Sequence, residues 1–548
     1  MTRLLNALHI LEINRTILGL NSTMISPACR RLLPSLTKGR GCLFVQTYRV
    51  TASQGRAVTG AATGTVEEKR LKTAEDLPGP SLLTNIYWVF LRGYLLYSHE
   101  LQFVYKKKYG PMWWSAMGRY KTVNIADADI LETVLRQEGK YPMRNDMEVW
   151  KEYRRKRDLP YGPFTEEGPR WQTLRSILNK RMLKPAEAVL YTGVVNEVVT
   201  DFIMRLDEMR KETPSGDMVN DLANVLYRFS FEGISYILFE TRIGCLEKNV
   251  PPETQAFIDS IGSMLKNSVF VTILPAWTNN MLPFYKRYIE SWDNIFAFGK
   301  KMIDQKMNKI QERLERGEEI QGEYLTYLLS SSKLTDKEIY GSVAELLLAG
   351  VDTTSNTLSW AMYHLSRNPE IQNDLYKEVT SVVPGDGIPT ADDISRMSLL
   401  KAVVKETLRM YPVVPTNSRV AAEKPIIIKD YYFPKDTLFA LSSYAIARDE
   451  NSFPEPHKFI PQRWIRDGPI KHHPFSSIPF GYGVRACVGR RIAELEMHMI
   501  LSRIIKKFEI RPDPQRTEIR SMARIVLAPN KPMNLQFVDR NSASQKSA

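Results

Sequence analysis

From Phe453 to Pro479 the chain is punctuated by Pro454, Pro456, Pro461, Pro474 and Pro479. Proline lacks an N–H and fixes φ, so neither a helix nor a central strand can run through this stretch. It must form an ordered, irregular coil, and coils of this length inside a folded body are usually functional. This one runs into Phe480-Gly481-Tyr482-Gly483-Val484-Arg485-Ala486-Cys487-Val488-Gly489, after which Arg490 to Met497 is helical in pattern. The three glycines let the backbone pass close to a flat object and place Cys487 just ahead of a helix N-terminus. There the helix dipole and nearby N–H groups favour a thiolate. Arg485 can pair with an anionic ligand edge. Taken alone, Gly-x-Arg-x-Cys is equally a glycine-rich turn with a buried cysteine.

Apolar residues recur at helical spacing over 172–183, 188–211, 219–239, 253–268, 284–316, 335–367 and 489–507. Strand signals are short, near 122–125, 425–433, 437–441 and 523–537. The balance predicts a mainly α fold with small β-sheets. Leu77-Pro78-Gly79-Pro80 is a rigid turn that opens the folded body, which we bound at 77–538. The formal charge of +14 raises the question of an anionic polymer, but half of it sits in residues 1–66, where eight basic residues face Glu12 alone. That leader is amphipathic, rich in Ser and Thr and poor in acid, as mitochondrial transit peptides are. Its longest apolar runs are broken by His9, Glu12 and Arg15, short of the ~18 residues of a spanning helix. The remaining charge does not point to nucleic acid. Cys29, Cys42, Cys245 and Cys487 form no C-x-x-C pair, which disfavours zinc, and Cys245 reads as a small buried hydrophobe.

A second signal is Ala349-Gly350-Val351-Asp352-Thr353-Thr354, centred in the long apolar helix that ends near Arg367. Glycine costs about 1 kcal/mol in a helix interior, so something compensates for it. One reading is a helix break with Asp352 as an N-cap. The other is a local distortion that opens a groove for O2, with Thr353 hydrogen-bonding oxygen and Asp352 feeding protons. Further on, Glu406-Thr407-Leu408-Arg409 puts a carboxylate and a guanidinium side by side on a helix.

With Phe480, Gly483, Arg485, Cys487 and Gly489 all present, the cysteine segment resembles the haem-binding signature of cytochromes P-450. The resemblance extends over about Leu77 to Val538. It implies haem b axially ligated by Cys487, and an acid-threonine pair matched by Asp352 and Thr353. It further implies haem propionate contacts from Trp171, Arg175 and Arg419, and a buried Glu406–Arg409 pair completed by Arg463. The common pattern has Glu where Gln462 stands.

The lysine pair Lys401 and Lys405, one turn apart on one helical face, and Arg490-Arg491 resemble mitochondrial members of the family that accept electrons from an acidic ferredoxin. The bland alternative is a solvated face. Stretches such as Tyr141 to Trp150 and Tyr411 to Arg419 are similar to members that hydroxylate the terminal methyl of the sterol side chain on the bile-acid route and act on vitamin D precursors. In that case Val413, Val414 and Thr416 would line the pocket. The apolar run Val269 to Trp277 is either a core segment or a contact with the matrix side of the inner membrane. Other readings are a mitochondrial hydroxylase of vitamin D or a retinoid, and a haem-thiolate protein that does not activate oxygen.

Overall fold

The computed structural model describes residues 70–540, apart from 118–119, 145–146, 319–323, 332 and 466–470. The basic leader thus lies outside the described residues. The body is mainly helical with small sheets, as the periodicity predicts. Five helices position the site: α1 (Gly168–Met182), α2 (Leu222–Phe239), α3 (Asp336–Arg367), α4 (Ser398–Met410) and α5 (Arg490–Lys507). The largest sheet uses β1 (Met112–Met117), β2 (Tyr120–Ile125), β3 (Asn417–Val420) and β4 (Leu438–Leu441) in the order β1-β2-β4-β3. Only β2 and β4 run parallel in it, with Val123 opposite Phe439. A separate hairpin joins β5 (Ser521–Arg524) to β6 (Val526–Pro529).

The Leu77–Pro80 turn is laced onto β1. The Trp114 N–H donates to the Pro78 carbonyl at 2.9 Å, and a Cβ on Gly79 would lie 1.9 Å from the Trp114 oxygen. Only glycine permits that approach.

Helix α3 begins in a capping box. The Thr335 N–H donates to the Glu338 carboxylate at 2.9 Å, and the Glu338 N–H donates to Thr335 Oγ1 at 3.3 Å. It ends against Pro369, and it is buried almost all round, as a central helix must be. The expected distortion at Ala349–Thr354 is not found, and Asp352 is no N-cap: the helix runs unbroken. Two things explain this. The hydroxyls of Thr353, Ser355 and Thr357 each donate to the carbonyl one turn back, at 2.7, 2.8 and 2.9 Å. Gly350 is a packing glycine, because a Cβ there would lie 2.6 Å from Ile234 Cγ1 on α2. Close helix approach offsets its low propensity.

The proline-punctuated coil is held by one carboxylate. Buried Glu406 on α4 accepts from Arg409 at 2.8 and 2.9 Å, from Arg463 at 3.1 Å, from the Ile460 N–H at 3.0 Å and from Trp464 Nε1 at 2.8 Å. Arg409 and Arg463 in turn donate to the carbonyls of Pro456 and Pro454 at 2.8 and 3.0 Å. Gln462 is exposed and takes no part in this cluster. Burial alone would raise the Glu406 pKa, but the bonds from Arg409, Ile460 and Arg463 hold it below the usual range. Its contribution to stability is therefore present above the unfolded carboxyl pKa of about 4.3 and is lost as pH falls through the lower folded value.

Removing one partner of a buried pair leaves the other charge uncompensated, at about 3–5 kcal/mol. Glu406→Gln should therefore cost that much in urea denaturation, whereas Gln462→Ala should stay within about 0.5 kcal/mol. Equal effects of the two would contradict the hub.

Candidate active site

The residue that ends the coil faces a cavity. Gly481 and Gly483 adopt φ of +74° and +68°, which bends the chain back so that the Cys487 N–H donates to the Phe480 carbonyl at 2.8 Å. Gly489 has an ordinary φ, and nothing lies within 4 Å of where its Cβ would be. Gly481, Cys487 and Gly489 line one wall of a cavity of about 220 Å³, and Ala349, Gly350 and Thr353 of α3 line another. Ile234, Leu346, Val413 and Val414 make much of the remainder apolar. Thr416 is not at the wall, since Gln102 Nε2 donates to its hydroxyl at 2.7 Å.

Three arginines share the cavity with Cys487: Arg144, Arg175 and Arg485. Arg144 donates to the Arg485 carbonyl at 2.7 Å, and Arg175 donates to Asn179 at 2.7 Å and to the Ala486 carbonyl. Arg485 does more than face a ligand edge. It donates to the carbonyls of Pro142, Glu166 and Pro163 at 2.8, 3.1 and 3.4 Å, with its guanidinium 3.8 Å over the Trp171 ring. Arg419 lies in an adjoining crevice, paired with the Glu138 carboxylate. Burial, reinforced by mutual repulsion, lowers Arg485 to about 9 and Arg144 to about 10. Burial also pushes the Cys487 thiol up, and it outweighs the Gly489 N–H, Arg175 and Arg144, which favour the thiolate. The protein setting alone therefore disfavours the thiolate.

This arrangement fits a flat, dianionic group that carries its own metal ion. The arginines form a buried positive surplus against Glu138, and the N–H groups of Trp171 Nε1 and Arg144 Nε are buried without acceptors. Carboxylate edges would satisfy both. Among the described residues no cluster of His, Cys, Asp and Glu could hold a metal by itself, and Cys487 is the cysteine at the cavity. Cys245 is buried elsewhere, its N–H donating to Glu232 at 2.6 Å.

The structure does not bring Asp352 to the cavity. Adjacent residues of a helix point about 100° apart, so Thr353 faces the cavity while Asp352 turns to β5, where Arg524 donates to it at 3.2 Å. Its other oxygen has no partner, and burial raises its pKa against the pull of Arg524. The Thr353 hydroxyl proton is committed to Ala349, which leaves its oxygen as an acceptor toward the cavity. Sequence reading missed Arg144, Glu138 and Trp464, which no local pattern marks. It also missed Glu496, an acid on the apolar face Ile492, Ala493, Met497, which is a usable signal.

The fold and this site define a haem-thiolate monooxygenase: the cytochrome P-450 family profile matches residues 77–537, and the chain belongs to that family. Among curated relatives, the mitochondrial sterol 26-hydroxylase of Rattus norvegicus is 53% identical over 88% of this chain and 91% of that protein. The Homo sapiens sterol 26-hydroxylase is 52% identical over 88% and 92%. The mitochondrial 25-hydroxyvitamin D-1 alpha hydroxylase of Rattus norvegicus is 42% identical over 86% and 95%.

Arg144→Met removes one buried charge from the arginine group while keeping much of its bulk. Loss of a charge-assisted bond worth about 1.5–3 kcal/mol should speed haem transfer to an acceptor apoprotein roughly 10- to 100-fold. Haem-free stability should be unchanged or raised, because repulsion is relieved. Unaltered haem transfer would refute the assignment of Arg144 to this site.

Proposed function

We propose that this chain is a mitochondrial sterol side-chain hydroxylase, oxidising the terminal methyl with O2 and with electrons from a ferredoxin. The observation that carries the reading is the largely apolar cavity between α3 and Cys487 in a chain 53% identical to a sterol 26-hydroxylase, against 42% to the vitamin D enzyme. Cys487 would supply the thiolate that holds the haem iron. Trp171, Arg144 and Arg175 would hold the carboxylate edges of the haem, with Arg485 and Arg419 bracing the site around them. When bound, the haem supplies oxygen activation, and thiolate electron release favours O–O cleavage. The protein does the rest. Ile234, Leu346, Val413 and Val414 accept the hydrocarbon and exclude water. The Thr353 oxygen accepts a hydrogen bond within the cavity, and Asp352 takes up protons beside Arg524, whose side chain is 23% exposed and so reaches solvent.

Residues 1–66 serve as the mitochondrial address and 77–538 as the oxygenase domain, attached peripherally to the matrix side of the inner membrane. No described helix is long and apolar enough to cross a membrane. The run Val269 to Trp277 divides: its first part ends the helix Pro252–Ile273, where Phe270 and Val271 are buried, while Trp277 and Met281 beyond that helix are exposed. Exposed Leu82, Leu83 and Leu91 add apolar surface suited to a headgroup layer.

The electron donor docks on Lys401, Lys405, Arg490 and Arg491. Lys405 is exposed and Lys401 partly so, and both are close enough to buried His498 on α5 to help burial lower its pKa to about 4. Arg490 and Arg491 begin the same helix ~12 Å away along its axis, exposed and sharing only Glu494.

Two experiments test this. Reconstituted with ferredoxin, its reductase and a panel of sterols, vitamin D and a retinoid, the protein should give side-chain-hydroxylated sterol. Turnover of vitamin D or retinoid with sterols untouched would overturn the substrate assignment. Lys401→Glu with Lys405→Glu should weaken ferredoxin binding on the order of ten-fold or more and leave sterol binding intact, with added salt mimicking the effect. Normal reduction of the double variant would rule out this docking face.

A further inference from the structure

Between the end of α4 at Met410 and the start of β3 at Asn417 the chain forms no helix or strand, yet Val413 and Val414 there line the cavity. Pro412 and Pro415 have no N–H to donate, so this stretch needs anchors from outside itself. The Leu527 N–H on β6 supplies one, donating to the Val413 carbonyl at 2.8 Å. The Pro415 carbonyl takes two more, from the Tyr444 N–H at 3.1 Å and from Gln102 Nε2 at 3.2 Å. Gln102 belongs to the helix Leu101–Tyr109 and does not itself line the cavity. Its Nε2 also donates to the Thr416 hydroxyl at 2.7 Å, and its Oε1 accepts from the Ala445 N–H at 3.1 Å. Ser443, two residues before Ala445, lines the cavity as well. One buried amide, 7% exposed, thus ties together two separate segments of the wall. The helix that carries it is a firm base, since Leu101 and Tyr105 belong to one buried cluster with Trp113 and Ala126 of the large sheet and with Ala445.

We infer that Gln102 is a positioning residue for specificity: by fixing Pro415, Thr416 and Ala445 at once, it sets where Val413 and Val414 stand against the substrate. It acts from behind the wall and makes no contact with the substrate. Loss of the amide would release both segments together, because each is bonded to the other through it. An apolar wall that moves by the width of about one methylene changes discrimination on the order of ten-fold or more. In a side-chain hydroxylase that discrimination is the choice of carbon. The inference therefore rests on the sterol reading for its product, although not for the geometry of the wall.

Gln102→Met keeps the length of the side chain but cannot donate to Pro415 or Thr416. Tyr105→Phe is the control: on the same helix it removes a hydroxyl that donates to Asn85 at 2.9 Å and that joins neither wall segment. A merely structural role for Gln102 predicts that both variants lower the thermal midpoint of the holoenzyme and that neither alters its products. The inference predicts that Gln102→Met alone lowers the ratio of terminal to other side-chain hydroxylation, by about ten-fold, with haem content unchanged. Affinity for a bulky aryl-imidazole relative to imidazole itself should fall by a similar factor, and this second ratio reads the wall without any sterol. Thr416→Val removes one bond at an exposed residue, leaves the helix untouched and should move both ratios in the same sense. Unchanged ratios in Gln102→Met, or an equal change in Tyr105→Phe, overturn the inference. If Gln102→Met takes up no haem, the ratios in Thr416→Val decide. If the unmodified enzyme hydroxylates no sterol, the substrate reading fails and the imidazole ratio alone decides on Gln102.

Discussion

The coil that delivers Cys487 cannot hold its own shape, and the carboxylate of Glu406 does it instead. Prolines deny the segment a helix or a ladder. Its backbone groups are gathered by Arg409 and Arg463, whose own charges are gathered by Glu406, with Trp464 and the Ile460 N–H filling the same two oxygens. Five donated bonds to one buried carboxylate make an all-or-none joint between α4 and the coil. From there the chain reaches Phe480, turns through two left-handed glycines and presents sulfur to the cavity.

The second constraint is electrostatic. Arg144, Arg175 and Arg485 line the cavity, with Arg419 in the neighbouring crevice, where it forms an ion pair with Glu138. Each arginine also donates to backbone carbonyls or a side-chain amide, so the wall is rigid as well as charged. A surplus of buried cations is a cost in the bare protein and an asset once carboxylates arrive. The same logic applies to the thiol, whose pKa burial raises in the protein alone and which a bound metal cation would lower. The bare cavity is therefore electrostatically suited to a dianion that carries a metal ion.

Local signals in the sequence were sufficient for the five helices of the site, for the Cys487 turn and for the Glu406–Arg409 pair, because each depends on spacing within a few residues, whereas helices such as Ala128–Arg136 and Pro369–Val382 were not foreseen. β1 and β3 were not foreseen. Met112 to Met117 has no clean polar alternation, and Asn417 to Val420 is mostly polar, so both are strands only because β2 and β4 receive them. The arginine wall was half legible. Arg175 and Arg485 sit in recognisable motifs, while Arg144 meets Arg485 and Glu138 meets Arg419 across hundreds of residues and only through packing. Asp352 and Thr353 are neighbours in sequence, but helical rotation separates them, so a reading along the chain joined two groups that face different elements. Gly350 invited a distortion and serves a contact with Ile234 instead.

The central claim is that Cys487 holds the haem iron as a thiolate. The optical spectrum of the reduced carbon monoxide complex reports that bond directly, because its thiolate-specific band requires sulfur opposite the gas. The account predicts that band in the unmodified protein and its complete loss in Cys487→His, with haem still bound between the arginine wall and α3. Persistence of the band in Cys487→His would contradict the account.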